Sequence, residues 1–182
     1  MKSPYPAPRT CLALLLRLER WLTDHRPRYL QGLFPAASEA DLNFLESALG
    51  ACLPEELRTL LSWHNGQRPD FVGSFEQSWN LMGTRAISEA KREMDGDNTG
   101  VAAKGGWQST WIPLLDDDAG DYLCLDASQR EAPVYAFWFG EAARPPIAPS
   151  LTTWLEDFVT GVERGEYHED PERGFFLRMR KE

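Results

Sequence analysis

Cysteine and histidine are scarce: the chain holds three of each. Cys11, Cys52 and Cys124 are an odd number and show no Cys-x-x-Cys spacing. That pattern excludes a disulfide-rich secreted scaffold and a cysteine-based zinc site. Each cysteine lies among apolar residues, so all three are expected to be free, mostly buried thiols of a reducing compartment. No segment approaches the roughly 20 apolar residues that a membrane span needs. The apolar run from Cys11 to Leu16 stops at Arg17, too short for a secretory signal, so a cytoplasmic location is expected. Catalytic signatures are missing as well. There is no Gly-x-Ser-x-Gly, no His-Glu-x-x-His and no phosphate-cradling Gly-x-x-x-x-Gly-Lys-Ser/Thr. The sequence has neither an internal repeat nor a low-complexity tract.

What is present fits one domain over residues 1–182, with a Pro-rich arm at 1–9 and a mixed-charge tail at 166–182. Seven Trp and nine Phe suffice for a substantial core. The net charge of −9 is unevenly spread. Residues 1–30 carry six Lys or Arg against two acids, so the remaining 152 residues hold −13. Such an acidic body repels nucleic acid and anionic membranes and favours basic partners. The same charge would also serve solubility alone.

Along the chain, Thr10 can cap a helix to about His25, with Cys11, Leu14, Leu15, Leu18 and Leu22 on one face. Leu12 and Leu16 widen that face, and either full burial or a second contact surface would account for them. Ser38 with Asp41 forms a capping pair for a second helix that ends at Gly50. Leu53-Pro54 opens a third, with Pro54 at its first position and Leu57, Leu60, Leu61 and His64 on one face. Asn65-Gly66 ends it. A short strand is expected around Leu81, then a helix over Ala86–Met94 that Asp95-Gly96-Asp97-Asn98 breaks.

Trp111 to Asp126 reads as a β-hairpin. Its first arm is apolar on both faces, and Pro113 places it at a sheet edge or a bulge. Asp116-Asp117-Asp118-Ala119-Gly120 supplies the turn. The second arm alternates, Tyr122 and Cys124 against Leu123 and Leu125. Val134–Phe139 should be a strand covered on both sides, and Ile147 belongs to a final strand. Ser150 caps a last helix with Leu151, Trp154, Leu155, Phe158 and Val162 facing inward, ended by Gly165. In the tail, Phe175-Phe176-Leu177 can dock. The expected fold is α+β: one mostly antiparallel sheet of about four to six strands, flanked by N-terminal and C-terminal helices.

Glu46, Leu49-Gly50, Leu53-Pro54 and Trp63-His64-Asn65-Gly66-Gln67 resemble the N-terminal signature of the SUKH superfamily. That group contains the fungal cell-wall assembly regulator of the Smi–Knr type and many bacterial proteins. Trp111-Ile112-Pro113, Gly120-Asp121 and Leu125-Asp126 resemble its central hairpin, and Pro149-Ser150-Leu151 with Trp154-Leu155 its C-terminal helix start. Leu53, Pro54, Gly66, Trp111, Ile112, Pro113, Gly120 and Trp154 are therefore structural candidates. The order matches over roughly residues 10–165, but Phe71–Trp107 fits poorly and carries an acidic, Gly-containing insertion at Asp95–Gly106. The resemblance implies the same α+β fold and a non-enzymatic immunity protein that binds a toxin, such as a nuclease or a nucleotide-consuming enzyme. A regulatory or scaffolding module of cell-wall assembly is the alternative, and a small hydrolase a remote third.

The polar candidates each admit a plain explanation. Asp116, Asp117, Asp118 and Asp121 are either a solvated turn or a contact for a basic partner; they lack the Glu of a calcium loop. Trp79 and Trp107 flank the non-periodic middle of the chain, where partly exposed tryptophan can anchor an interface. Glu141 stands at a neighbouring rim, whereas Trp111, Trp21, Trp138 and Trp154 read as core. His25 reads as solvated and His64 as satisfied and half-buried. His168 lies among Glu166, Glu169 and Asp170, a surface-charge run rather than a metal site. No cofactor, metal, nucleic acid or membrane is expected. The expected partner is a protein, a toxin with a basic surface.

Overall fold

The computed structural model describes residues 10–96 and 106–179. Four helices come first: α1 (Cys11–His25), α2 (Pro27–Gln31), α3 (Glu39–Leu49) and α4 (Glu55–Trp63). They are followed by β1 (Asn80–Leu81), α5 (Thr84–Gly96), β2 (Trp111–Asp116), β3 (Tyr122–Asp126), β4 (Val134–Phe137) and β5 (Pro146–Ala148). Helix α6 (Leu151–Glu163) and the strands β6 (Tyr167–Glu169) and β7 (Phe176–Arg178) complete the order. Strands β1 to β5 form one antiparallel sheet in sequence order, and β6 pairs with β7 in a second. The fold is α+β.

Local chemistry fixes the helix boundaries. The Thr10 hydroxyl accepts the Ala13 N–H at 3.3 Å and starts α1. Ser38 and Asp41 cap each other at the start of α3, and Gly50 ends it with a φ of +66°. The Ser150 hydroxyl accepts the Thr153 N–H at 3.1 Å at the start of α6. Inward residues of these helices meet Ile112, Leu115, Leu123, Leu125, Val134 and Ala136 of the sheet in one large core.

The other face of the sheet carries a smaller cluster: Trp111, Cys124 and Phe137, with Met94, Trp107, Tyr122 and Tyr135 packed around them. The alternation read in the second hairpin arm thus separates the two cores, Leu123 and Leu125 on one side, Tyr122 and Cys124 on the other. Pro113 causes no conflict, because the β2–β3 register shifts between Pro113 and Leu115. It does not lie on an edge strand: β2 pairs with β1 as well as β3, and β1 reaches only Leu115 and Asp116.

Several expectations are corrected. Cys11 and Cys124 are buried, but Cys52 is exposed; it follows Gly50 in the α3–α4 turn, which runs over the surface. Pro54 precedes α4 as its cap, with ψ +138°, instead of occupying its first turn. His64 lies just past the helix in extended backbone. Leu12 and Leu16 are each just over half exposed, so α1 presents a second apolar surface. Helix α5 runs through Asp95 and Gly96, which were expected to break it; Asp97–Gly105 lie outside the described residues, as does the Pro-rich arm. Strand β4 stops at Phe137 and leaves Phe139 exposed. Trp21 and Trp138 are only partly buried at the core boundary. The tail is a hairpin that docks through Phe176, 2% exposed, against Trp21, Phe158 and Tyr167.

Candidate functional site

The N-terminal signature builds one wall of a cleft. Glu46 accepts the Leu53 N–H at 3.0 Å and pairs with Arg58 at 3.1 Å, which fixes the α3–α4 turn. Past α4, the Asn65 side chain accepts the Thr84 N–H at 2.8 Å and so caps α5. Gly66, at φ +86°, crosses the chain at Gly83 so closely that a Cβ would lie 2.3 Å from the Gly83 nitrogen. No other residue fits that approach. The Gln67 N–H bonds to Leu81 at 2.8 Å. Its side chain donates to Gly73 at 2.6 Å and accepts from Tyr29 at 2.9 Å.

Strand β1 is the floor and the β2–β3 turn the opposite wall. Asp116, Asp117 and Asp118 line this cleft of about 430 Å³ together with Gln67, Phe71, Asn80 and the exposed Val72. Arg68 and Arg173 line it as well. The aspartates also have structural duties. Asp117 Oδ1 accepts the N–H groups of Ala119 and Asp121 at 2.9 and 3.0 Å. Asp118 accepts from Asn80 Nδ2 at 2.9 Å and sits in left-handed backbone at φ +59°. Asp121 accepts the Phe139 N–H at 2.6 Å and ties the turn to the end of β4. Burial, then the neighbouring Asp118, pushes the Asp116 carboxyl up to about 6.

The predicted site residues are thus only partly brought together. Asp116, Asp117, Asp118 and Asp121 form one rim. The exposed Glu141 lies in the turn beside it, its N–H bonded to Trp138 at 3.2 Å. Trp79 and Trp107 fall elsewhere. Trp79 is half-buried against the main core, whereas Trp107 caps the aromatic cluster and donates its indole N–H to Asp95 at 2.8 Å. Leu53, Trp111, Ile112, Pro113 and Trp154 are buried, and Gly120 turns the hairpin at φ +97°.

The remaining polar candidates have neighbours, although the buried His64 Nε2 makes no hydrogen bond and lies 3.4 Å from Glu19. His64 Nδ1 bonds to the Phe34 carbonyl at 2.6 Å. Exposed His25 stacks on Trp21 with ring centroids 4.6 Å apart. Glu169 pairs with Arg26, Glu166 with Arg178, and Asp170 accepts the N–H groups of Glu172 and Arg173. Among the described residues, no group of three or more His, Cys, Asp or Glu could hold a metal ion. No helix among them is long and apolar enough to cross a membrane.

Sequence reasoning missed several buried charges, among them Arg26 and Glu76. Arg26, 4% exposed, lies over the rings of Tyr29 and Phe176 at 4.5 and 4.1 Å and donates to the Ser74 carbonyl at 3.2 Å. Glu76, 9% exposed, accepts from the Tyr167 hydroxyl at 3.0 Å, and burial pushes its carboxyl up to about 7. Both stand beside aromatic residues of the tail hairpin, far away in sequence, so no local spacing marks them.

Comparison with known proteins adds two findings. The profile described as SMI1 / KNR4 family (SUKH-1) matches residues 36–157, a stretch that contains both cleft walls contributed by the signature and the hairpin. F-box only protein 3 of Homo sapiens is 26% identical over 167 residues, covering 82% of this chain and 34% of the relative. The protein of that name from Mus musculus is also 26% identical, with 33% of its length covered. The chain therefore spans about a third of the curated relatives it matches.

Proposed function

Because the chain belongs to the SMI1 / KNR4 family (SUKH-1), we propose that it is a non-catalytic, cytoplasmic protein-binding module of the immunity type. It binds and neutralises a toxin that presents a basic surface. The observation that carries this reading is the rim of Asp116, Asp117 and Asp118, set on a rigid hairpin beside the exposed Val72. Asp117 is held by two backbone N–H groups and Asp118 by Asn80, so they lose little freedom on binding, and an acidic field accelerates encounter with a basic partner. The hydrolase alternative gains no support from the described residues: Asp116 and its neighbours lack a nucleophile with a base beside it.

The test replaces Asp116, Asp117 and Asp118 with Asn, which keeps an acceptor oxygen for each turn hydrogen bond and removes the charge. Association with a candidate cognate toxin, sought among the genes adjacent to this one, is then timed at low and high salt. The variant should associate more slowly, most of all at low salt, because exposed charges are screened beyond about 8 Å at physiological ionic strength. Identical on-rates and salt slopes would remove this rim from the interface.

A regulatory or scaffolding module is the second reading. It is supported by the F-box relatives, in which the matched stretch is only about a third of the protein. Co-purification with a host signalling or cell-wall enzyme, and no binding to the neighbouring toxin, would favour it.

A further inference from the structure

A second cleft, about 340 Å³, opens between strands β3–β5 of the sheet and α6. Its lining includes three tryptophans, Trp79, Trp138 and Trp154, with Glu76 and Asp157. A tight turn brings Glu76 and Trp79 to the same cleft: the Trp79 backbone N–H bonds to the Glu76 carbonyl at 2.8 Å, and Gln77 takes a φ of +53°. Trp154 is fixed from behind by Phe75 and Phe158, at centroid distances of 6.2 and 5.8 Å. Trp79 and Trp138 are half-buried.

We infer that this cleft takes the side chain of an arginine from a protein partner, its guanidinium lying among the three indoles and meeting Glu76. The proposal rests on the protein-binding reading and adds a second contact to it. Indole faces attract cations, and guanidinium is the cation that sheds water most readily and stacks flat on an aromatic ring. The charges around Glu76 leave room for another positive group. It faces Tyr167 of β6, Asp157 of α6 and Arg178 of β7. That arginine is already engaged by Asp157 and by Glu166, at 2.5 and 2.8 Å. Arg178 is thus directed at Asp157 and Glu166 rather than at Glu76. The start of α6 does not oppose a cation here, since the N–H groups of Thr152 and Thr153 are taken by Glu56 and Ser150. Burial holds the Glu76 carboxyl near 7, and an arriving cation would favour its ionised form.

The probe is Nα-acetyl-arginine methylamide, with the neutral citrulline derivative as control. Each is titrated into the full chain at pH 8.5 while the tryptophan indole N–H signals are followed by NMR. The arginine derivative should move the signals of Trp79, Trp138 and Trp154 saturably and leave Trp107 and Trp63 in place. Citrulline should move none. Glu76→Gln should weaken the arginine response about tenfold, the loss expected for one charge-assisted contact. Trp138→Leu, a change at the cleft wall, should weaken it as well. Equal responses to arginine and citrulline, no saturable shift, or shifts spread over all indoles would overturn the proposal. Toxin binding measured in parallel separates the two ideas. If the toxin binds and arginine does not, the cleft proposal falls alone; if arginine binds and no protein partner does, the protein-binding reading falls.

Discussion

Glu76→Gln gives a direct test of how the main core treats a buried charge. Glu76 is 9% exposed, and its carboxyl is pushed from 4.5 up to about 7 chiefly by burial. Its folded value lies above its unfolded one, so the folded protein binds more protons between about pH 4.5 and 7. Stability must therefore fall as pH rises through that window and level off above it. The gap corresponds to about 3 kcal/mol at 1.36 kcal/mol per pH unit. Glutamine keeps an oxygen to accept the Tyr167 hydroxyl and removes the charge. For a chain of this size, about 3 kcal/mol becomes a rise in Tm of roughly 6–12 °C at pH 8.5. At pH 4.5, where the folded parent is protonated and its unfolded chain half protonated, the difference in Tm should nearly vanish. Thermal unfolding by circular dichroism across pH 4.5–8.5, parent against variant, is the assay. A difference in Tm independent of pH would refute the argument, because it would show that packing and not ionisation governs the site.

Two further outcomes are expected. Trp111→Ala should cost about 3–5 kcal/mol in chemical denaturation, as usual for a large aromatic truncated in a core. Trp111 stacks on Tyr135 at 5.4 Å and is 5% exposed; unchanged stability would mean that this face of the sheet is not a core. In native protein, a thiol reagent should label Cys52 rapidly and Cys11 and Cys124 only on unfolding. Burial raises the thiols of Cys11, to about 12, and of Cys124, and fast labelling of all three would contradict it.

The helices other than α2, whose stretch reads as a linker, the hairpin and its two-faced second arm were legible because each is set by local signals: a capping pair, a period, a polar turn. Leu123 against Cys124 is the clearest case, since one alternation separates two cores. Cys52 was misjudged because apolar neighbours in sequence do not reveal a surface turn. Pro113 was resolved only by the sheet, since a register shift lets a proline sit in a paired strand. Asp116, Asp117 and Asp118 could be found as a cluster, but their hydrogen bonds to Asn80 and to the turn backbone depend on tertiary placement. Glu76, Trp79, Trp138 and Trp154 converge from separate segments, and no spacing in one segment records that.

The central claim is that the chain neutralises a protein toxin by binding it. Cells producing a toxin found among the genes adjacent to this one, with and without the chain, measure that claim most directly through growth, with the purified pair mixed in parallel. The account predicts restored growth and a stable complex, with protection weakened by the Asn replacements at Asp116, Asp117 and Asp118. Undiminished killing together with no detectable complex would contradict it.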